Sequence, residues 1–527
     1  MAEKKQILYD IIIKHLEYLF ILIILLYSFM AVGVCTAANS NNLTPSSPNI
    51  AVNETSALEF SHSMMGVKLG SAQEKIATDN FSKCKLERFT TTSDCVLALT
   101  KGKINACILP MAQARQFKKT YPQLMFCAEH YNSANAAFSM PKTPKGRALQ
   151  QEFNAFLTEI KTNGTFGQLL DKWFEATDDI TEYPVPAYDS LPGPKGTIIV
   201  AIDEEFEPYS FTKEGKMSGY DVELLTMFAQ KYGYKLKLST MTMEGLILTL
   251  TSGKADMIGT DLIVTKERQE KLLFTEATSV AYSVVAFISP DYDGSDKNFW
   301  ENLETVFYKC FVRENRWQLM LKGLVNTLKL TFGSAVLGTL LAAFICLLRM
   351  KSGKFINALI NTYISIFQGT PVLVVLLIFY YVLFANLKLG SLLVAIITFS
   401  LNIAAYLTDV FYSGIAAVGR GQWEAAIALG YTHGRAFTRF ILPQAAANFL
   451  PVYRGHLITL MKGTSIVGYI ALQDLTRSGD IIRSSSYEAL LPLLCVAIIY
   501  LILSYIMREG LAALEHWLLG NKRKGGL

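Results

Sequence analysis

Residues 421–444 read GQWEAAIALGYTHGRAFTRFILPQ, a charged, helix-prone segment set between long apolar runs. Gln422 to Gly430 is rich in alanine and favours helix, and Gly430 is placed to end it. A second helix-prone stretch, Gly434 to Ile441, is expected to stop at Leu442-Pro443. Helix, turn and helix make a compact knob, and the charges around it say which side of a membrane it faces.

Five apolar segments surround the knob. They are about Leu324–Leu348, the run after the Gly369-Thr370-Pro371 break to about Phe384, Ser391–Ile415, Phe449–Ile470 and Ala489–Ile506. A spanning helix needs about 20 apolar residues. Arg349, Lys351 and Lys354 follow the first span, Arg420 the third, and Arg508 with Lys522-Arg523-Lys524 the fifth. The loops after the second and fourth are less basic. Lys and Arg collect on the cytoplasmic side, so the domain starts outside, ends inside, and puts residues 421–444 in the cytoplasm. A second signal agrees. Tyr18 to Val34 is continuously apolar behind Lys4, Lys5, Lys14 and His15, and reads as a cleaved signal peptide or a retained anchor. Either one sends residues 40 to 320 outward.

Composition removes other classes. The 527-residue chain carries a net charge of only +5, and no basic stripe interleaved with aromatics points to nucleic acid. Of eight cysteines, Cys84, Cys95, Cys107 and Cys127 fall in the outward segment, where a disulfide is permitted. Their spacing fits no metal framework, and Cys107, in an apolar strand-like run, reads as a buried thiol. No nucleophile elbow, metal-ligand spacing or acid/base pair marks an enzyme. No G-x-x-x-x-G-K-[S/T] loop occurs to cradle a phosphate, so any nucleotide energy comes from another polypeptide.

The knob's residues carry a resemblance. Glu424, Ala425, Ala426, Gly430, Leu442 and Pro443 resemble the EAA loop of ABC importer permeases. Gly323-Leu324-Val325-Asn326-Thr327-Leu328, Gly369-Thr370-Pro371, Ala404-Ala405-Tyr406, Lys462-Gly463-Thr464-Ser465 and Leu442-Pro443-Gln444 narrow it to the polar amino acid uptake permeases. The resemblance implies an all-α five-span type I permease over residues 321–520. It implies a separate cytoplasmic ABC ATPase that binds ATP and Mg and docks at the loop, with no cofactor in this chain. It also implies a second permease copy, as homodimer or heterodimer, in a bacterial inner membrane. The sequence departs from the family at Gln368 (usually Arg), Asp409 (usually Glu), Tyr412 (commonly basic) and Phe440 (usually Ile).

Residues 197–290 alternate strands and helices, which argues for a parallel α/β sheet. Asp203, Phe206, Pro208-Tyr209-Ser210-Phe211, Ser218-Gly219-Tyr220-Asp221-Val222 and Thr265-Lys266-Glu267-Arg268 resemble lobe one of the periplasmic amino-acid-binding proteins, the Venus flytraps. The resemblance implies that Arg268 clamps a ligand carboxylate, for which a guanidinium is well shaped. Phe206 packs on the ligand, Asp203 can bind an ammonium, and Thr260, Asp261 and Thr265 belong to the ligand loops. Asp261 departs from the family's small residue. Lobe two is expected first in the chain: Gly66 to Glu74, with Gly70 and Ser71 in its ligand loop, Leu97 to Ala106, and the helix pair Phe153 to Phe174. Pro110 stands where the family binds the amino group with Asp.

The expected plan is therefore a signal or anchor (1–40), a lobe-two-like half (55–180), a linker (181–196), a lobe-one-like half (197–290), a juxtamembrane connector (291–320) and the permease. The halves make one circularly permuted flytrap or two degenerate half-domains. The function read is the fused receptor and permease of an ATP-driven importer of the glutamine, glutamate or basic amino acid class. The alternative is a ligand sensor with a degenerate site and little transport.

Overall fold

The computed structural model describes residues 52–519 apart from 54–55, 176–179, 242, 290–298, 386, 388, 487 and 489. The run Tyr18 to Val34 lies outside the described residues. The first half of the receptor holds β1 (Val52–Asn53), β2 (Met64–Lys68), β3 (Lys85–Phe89) and β4 (Ala106–Pro110), with α1 (Ala72–Asn80), α2 (Thr92–Thr100) and α3 (Met111–Thr120) between and after them. Local chemistry sets these starts: Ser71 Oγ accepts from Glu74 N–H at α1, and Thr91 Oγ accepts from Asp94 N–H at α2. A Cβ on Gly66 would lie 2.5 Å from Cys95 Sγ, so glycine lets α2 pack hard on β2.

Then comes β5 (Leu124–Pro141), 18 residues long. At about 3.3 Å per residue it is roughly 60 Å long, enough to cross two lobes. It leads to α4 (Pro144–Thr162), capped by Thr143, and α5 (Thr165–Leu170). The second half continues with β6 (Gly196–Asp203), a small sheet of β7 (Glu205–Phe206), β8 (Ser210–Lys213) and β9 (Lys216–Ser218), then α6 (Tyr220–Tyr232), β10 (Tyr234–Met241) and α7 (Met243–Thr251). It ends with β11 (Met257–Ile263), α8 (Lys266–Lys271), β12 (Leu272–Phe274) and β13 (Ser279–Ile288).

One ten-stranded sheet joins both halves, in the order β10-β6-β11-β5-β13-β4-β2-β3, with β1 and β12 also on β5. The outer strands β10, β6 and β11 are parallel, as are β3, β2 and β4. β5 and β13 form an antiparallel ribbon from Ser279↔Ala136 to Ile288↔Leu124, with its register shifting between Ala281 and Ser283. That ribbon is the crossing between the lobes.

Two expected boundaries change. Leu149, Phe153, Phe156, Leu157 and Trp173 of the helix pair share a core with Ile198, Val200, Leu225 and Phe228, so residues 144–175 build their core with the second half, touching the first through Arg115, which donates to the Phe174 carbonyl at 2.8 Å. Residues 181–196 do not join the lobes. They lie on the second half, where Tyr183, Tyr188 and Leu191 pack on the same core and Lys213 donates to the Tyr183 carbonyl. Cys84, Cys95, Cys107 and Cys127 are free thiols, Cys107 fully buried.

The membrane half opens with α9 (Phe299–Phe307) and α10 (Trp317–Lys351), followed by α11 (Lys354–Gly369), α12 (Val372–Ile378) and α13 (Ser391–Ala416). The knob is α14 (Arg420–Ala428) and α15 (His433–Ala436). Then come α16 (Leu442–Gly463), α17 (Leu475–Ser486) and α18 (Leu490–Leu519). Among the described residues three helices, Trp317–Lys351, Ser391–Ala416 and Leu490–His516, are long and apolar enough to cross a membrane. A fourth crossing is possible as a pair, Lys354–Gly369 with Val372–Leu383, bent by 107°. The expected second span is thus only the shorter arm of a broken element. The expected fourth, Phe449–Ile470, falls on α16 and a following 3-10 turn. It is less apolar than those three and carries Arg454, His456 and Lys462, Arg454 pairing with Glu515 at 3.5 Å.

The departures Gln368, Asp409 and Tyr412 meet at one place. Arg349 pairs with Asp409 at 2.7 Å, Gln368 Nε2 donates to the same carboxylate at 3.0 Å, and the guanidinium lies 4.3 Å from the Tyr412 ring centre. These contacts tie α10, α11 and α13 together. At the other end of α10, Gly323 sits against α17: a Cβ there would lie 2.5 Å from the Asp474 carbonyl oxygen. Gly323→Ala is therefore expected to cost about 1–3 kcal/mol through overpacking, read as a lower midpoint in thermal unfolding of the detergent-solubilised chain. An unchanged midpoint would show that the contact is soft.

Candidate functional site

The space between the lobes is lined from both sides. Lys68, Ser71, Gln73, Thr92, Pro110 and Gln113 come from the first half, and Phe206, Tyr209, Asp261, Ile263 and Arg268 from the second, with Ala281 and Tyr282 from the crossing strand. The cavity among them measures about 50 Å³. That is room for roughly three to five waters.

Arg268 is half-buried. Its Nη1 donates to the Ile263 carbonyl at 3.0 Å, and among the described residues no carboxylate pairs with it. Burial lowers its pKa, which is the mark of a cation short of counter-charge. Phe206 stacks on Tyr209, centroids 4.6 Å apart, and makes an aromatic shelf. Asp261 is 4% exposed and accepts from Thr278 Oγ1 and Ser279 Oγ. Burial pushes its carboxyl up to about 6 despite both hydroxyls. Asp203, 1% exposed, is already engaged: Lys68 Nζ reaches it at 3.3 Å across the cleft.

Other expected ligand residues have structural duties. Thr260 Oγ1 accepts from Asp203 N–H at 2.7 Å and is fully buried. Thr265 caps α8 by accepting from Arg268 N–H, which fixes where Arg268 begins its reach. Gly70, at φ +69, donates its N–H to Glu74 and turns the chain into α1. None of these three lines the cavity. Ser71 does, while it also caps α1. Lys68, Gln113 and Tyr209 were missed as candidates. Lys68 carries a signal in hindsight, since a lysine at the inward end of a buried strand needs a partner.

The knob is a second candidate. α14 ends in a Schellman turn: Gly430 (φ +83) donates to the Ile427 carbonyl at 2.9 Å, and Tyr431 to the Ala426 carbonyl at 3.2 Å. Trp423 stacks on Phe437 and Tyr431 meets Phe440 edge-on, so the two arms are stapled. Ala426 is buried, whereas Glu424, Ala425 and Leu429 (74% exposed) face outward. The expected stop at Leu442-Pro443 does not occur. A π turn, Phe437–Ile441, runs straight into α16, where Pro443 sits in the first turn and its missing N–H costs nothing.

With the geometry in hand, comparison places the chain. Residues 334–518 match the family "Binding-protein-dependent transport system inner membrane component". The arginine transport system permease protein ArtQ of Bacillus subtilis (strain 168) is 34% identical over 204 residues, which cover 38% of this chain and 93% of that protein. The chain belongs to this permease family. The L-cystine transport system permease protein TcyB of the same organism is 33% identical over 37% of this chain and 85% of its own length. Residues 198–368 match "Bacterial extracellular solute-binding proteins, family 3". That match begins at β6 and runs on into α10 and α11. Among solved structures, an amino acid ABC transporter crystallised with histidines is 33% identical, covers 42% of this chain and 99% of its own, with a TM-score of 0.37. The permease chain is thus a fused binding-protein and membrane subunit of an amino acid ABC importer, a transporter and not an enzyme.

Proposed function

We propose that the chain captures a polar amino acid between its lobes and passes it to its own permease, driven by a cytoplasmic ATPase that docks on residues 421–444. The observation that carries the ligand reading is Arg268, a cation in the cleft without a carboxylate partner among the described residues, on the same wall as the Phe206–Tyr209 shelf and Asp261. Arg268 takes the ligand carboxylate and Asp261 the ammonium, because Asp203 is held by Lys68. The narrow cavity means that a ligand enters as the lobes part.

The two lobes, one crossing ribbon and a complete set of parts in rotated chain order support a single permuted flytrap over two separate halves. The receptor packs near Tyr381 and Phe384, before α13, and the knob follows α13. That helix of 26 residues is about 39 Å long, a membrane's thickness. This supports a receptor outside and a knob and C-terminus inside. ATP and Mg belong to the ATPase, and two permease copies complete the pathway as a homodimer.

Protonation tests the ammonium subsite. An ammonium binds the charged Asp261, whose carboxyl titrates near 6. L-Glutamine affinity, measured calorimetrically on the full chain between pH 5 and 8, is expected to rise through that value and level off above it, falling roughly tenfold per unit below. A flat profile that persists in Asp261→Asn would remove Asp261 from the site.

A further inference from the structure

The helix between the last two membrane elements, α17, reads LTRSGDIIRSSS and is almost wholly buried. It holds the two receptor lobes by two different arginines. Arg477 reaches the second half, with Nε 2.8 Å from Glu204 Oε1 and Nη1 2.6 Å from Glu205 Oε1. Both acids lie in sequence between Asp203 and the cleft residue Phe206. Arg483, six residues on, reaches the first half, with Nη2 2.6 Å from Asp94 Oδ1 in the first turn of α2, beside the cleft residue Thr92.

The two holds differ in strength. Arg477 and both glutamates are about 95% buried, and burial pushes Glu205 up to about 7 against the pull of Arg477. The second half has a further anchor: Lys254 Nζ donates to the Phe384 carbonyl at 2.6 Å, and Thr249 Oγ1 lies 3.3 Å from Tyr381 Oη. Asp94 is 30% exposed, and Arg483 keeps a fallback at 3.4 Å in Asp480 on its own helix. Separating Arg477 from its glutamates strands buried charge on both sides, whereas parting Asp94 from Arg483 leaves a partly exposed carboxylate and a buried guanidinium that keeps Asp480.

We propose that α17 is a closure latch: the permease holds one lobe throughout by Arg477, and engages the other by Arg483 and Asp94 when the lobes are together. Closure and permease position are then coupled, because the latch forms in one receptor state and not in the other. The helix is built to transmit the difference. Gly323 admits α10 against it, and a Cβ on Gly479 would lie 2.5 Å from Val496 of α18. A shift of α17 moves both neighbours.

The test uses the full chain in lipid nanodiscs, with spin labels carried on encoded non-natural residues at the exposed positions Lys83 and Lys237, one on each lobe, because native thiols such as Cys84 are free. Interlobe distances are read by pulsed electron resonance with no amino acid and no ATPase present, so the outcome is independent of ligand identity. Arg483→Gln and Asp94→Asn are each expected to raise the open-to-closed ratio about tenfold, within the usual range of coupling between sites. Asparagine at 94 still accepts from Thr91, so α2 keeps its cap. The double variant should open no further than either single one, since both remove the same contact. An unchanged distribution in the single variants, or additive effects in the double, would overturn the latch.

Discussion

Arg268→Ala is expected to abolish amino acid binding. The guanidinium is a cleft cation with no carboxylate partner among the described residues, and its backbone is held by the Thr265 cap, so truncation removes charge and leaves the fold. Losing two charge-assisted hydrogen bonds costs about 3–5 kcal/mol, on the order of a hundredfold to several thousandfold in affinity. Arg268→Lys keeps the charge but loses the fork and should recover only part of it. Calorimetry with L-glutamine or L-arginine on the full chain reads this directly. Unaltered affinity in Arg268→Ala would move the carboxylate site elsewhere, Lys68 being the next cation in the cleft.

Ala425→Arg is expected to stop transport and leave the receptor untouched. Ala425 is exposed beside Glu424, and the staple of Trp423 on Phe437 and the Gly430 turn do not involve it. The new side chain stands on the docking face and keeps an ATPase groove from closing on the knob. ATP-driven uptake should fall at least about a hundredfold, the scale of a few kcal/mol lost at the centre of an interface. Glu424→Ala, which removes one exposed charge, should cost about tenfold or less. L-Glutamine affinity and thermal stability should match the parent in both. Parental uptake in Ala425→Arg would mean that the knob is not the docking face.

What the sequence made legible follows from how local each signal is. The helix end at Gly430 and the strand–helix alternation from Gly196 to Ile263 each need only neighbouring residues, and the structure keeps them, whereas Ser71 and Thr265 entered as ligand-loop residues and prove to cap helices. The crossing ribbon was not legible. The stretch Asn132 to Ala137 of β5 reads NSANAA, small and polar with no alternation of apolar and polar residues to mark a strand. The assignment of residues 144–175 to the first half failed in consequence: sequence order hides that β5 has already crossed. α17 looked like a loop, since its serines and charges favour none of the regular elements. Its arginines find their partners 272 and 389 residues away. Within the cleft, Arg268, Phe206 and Asp261 were named through the resemblance, Asp261 as a departure from it, and the structure places all three on the cavity lining, whereas the Lys68–Asp203 pair across the lobes needed the fold.

The central claim is that one polypeptide carries both the receptor and the path through the membrane, and that a separate ATPase drives it. The direct measurement is uptake of radiolabelled L-glutamine and L-arginine into proteoliposomes that contain only this chain and its cognate ATPase. The account predicts accumulation against a gradient that requires ATP and is lost in Arg268→Ala and in Ala425→Arg. Accumulation indifferent to either substitution, or none for any polar amino acid that the receptor binds, would contradict it.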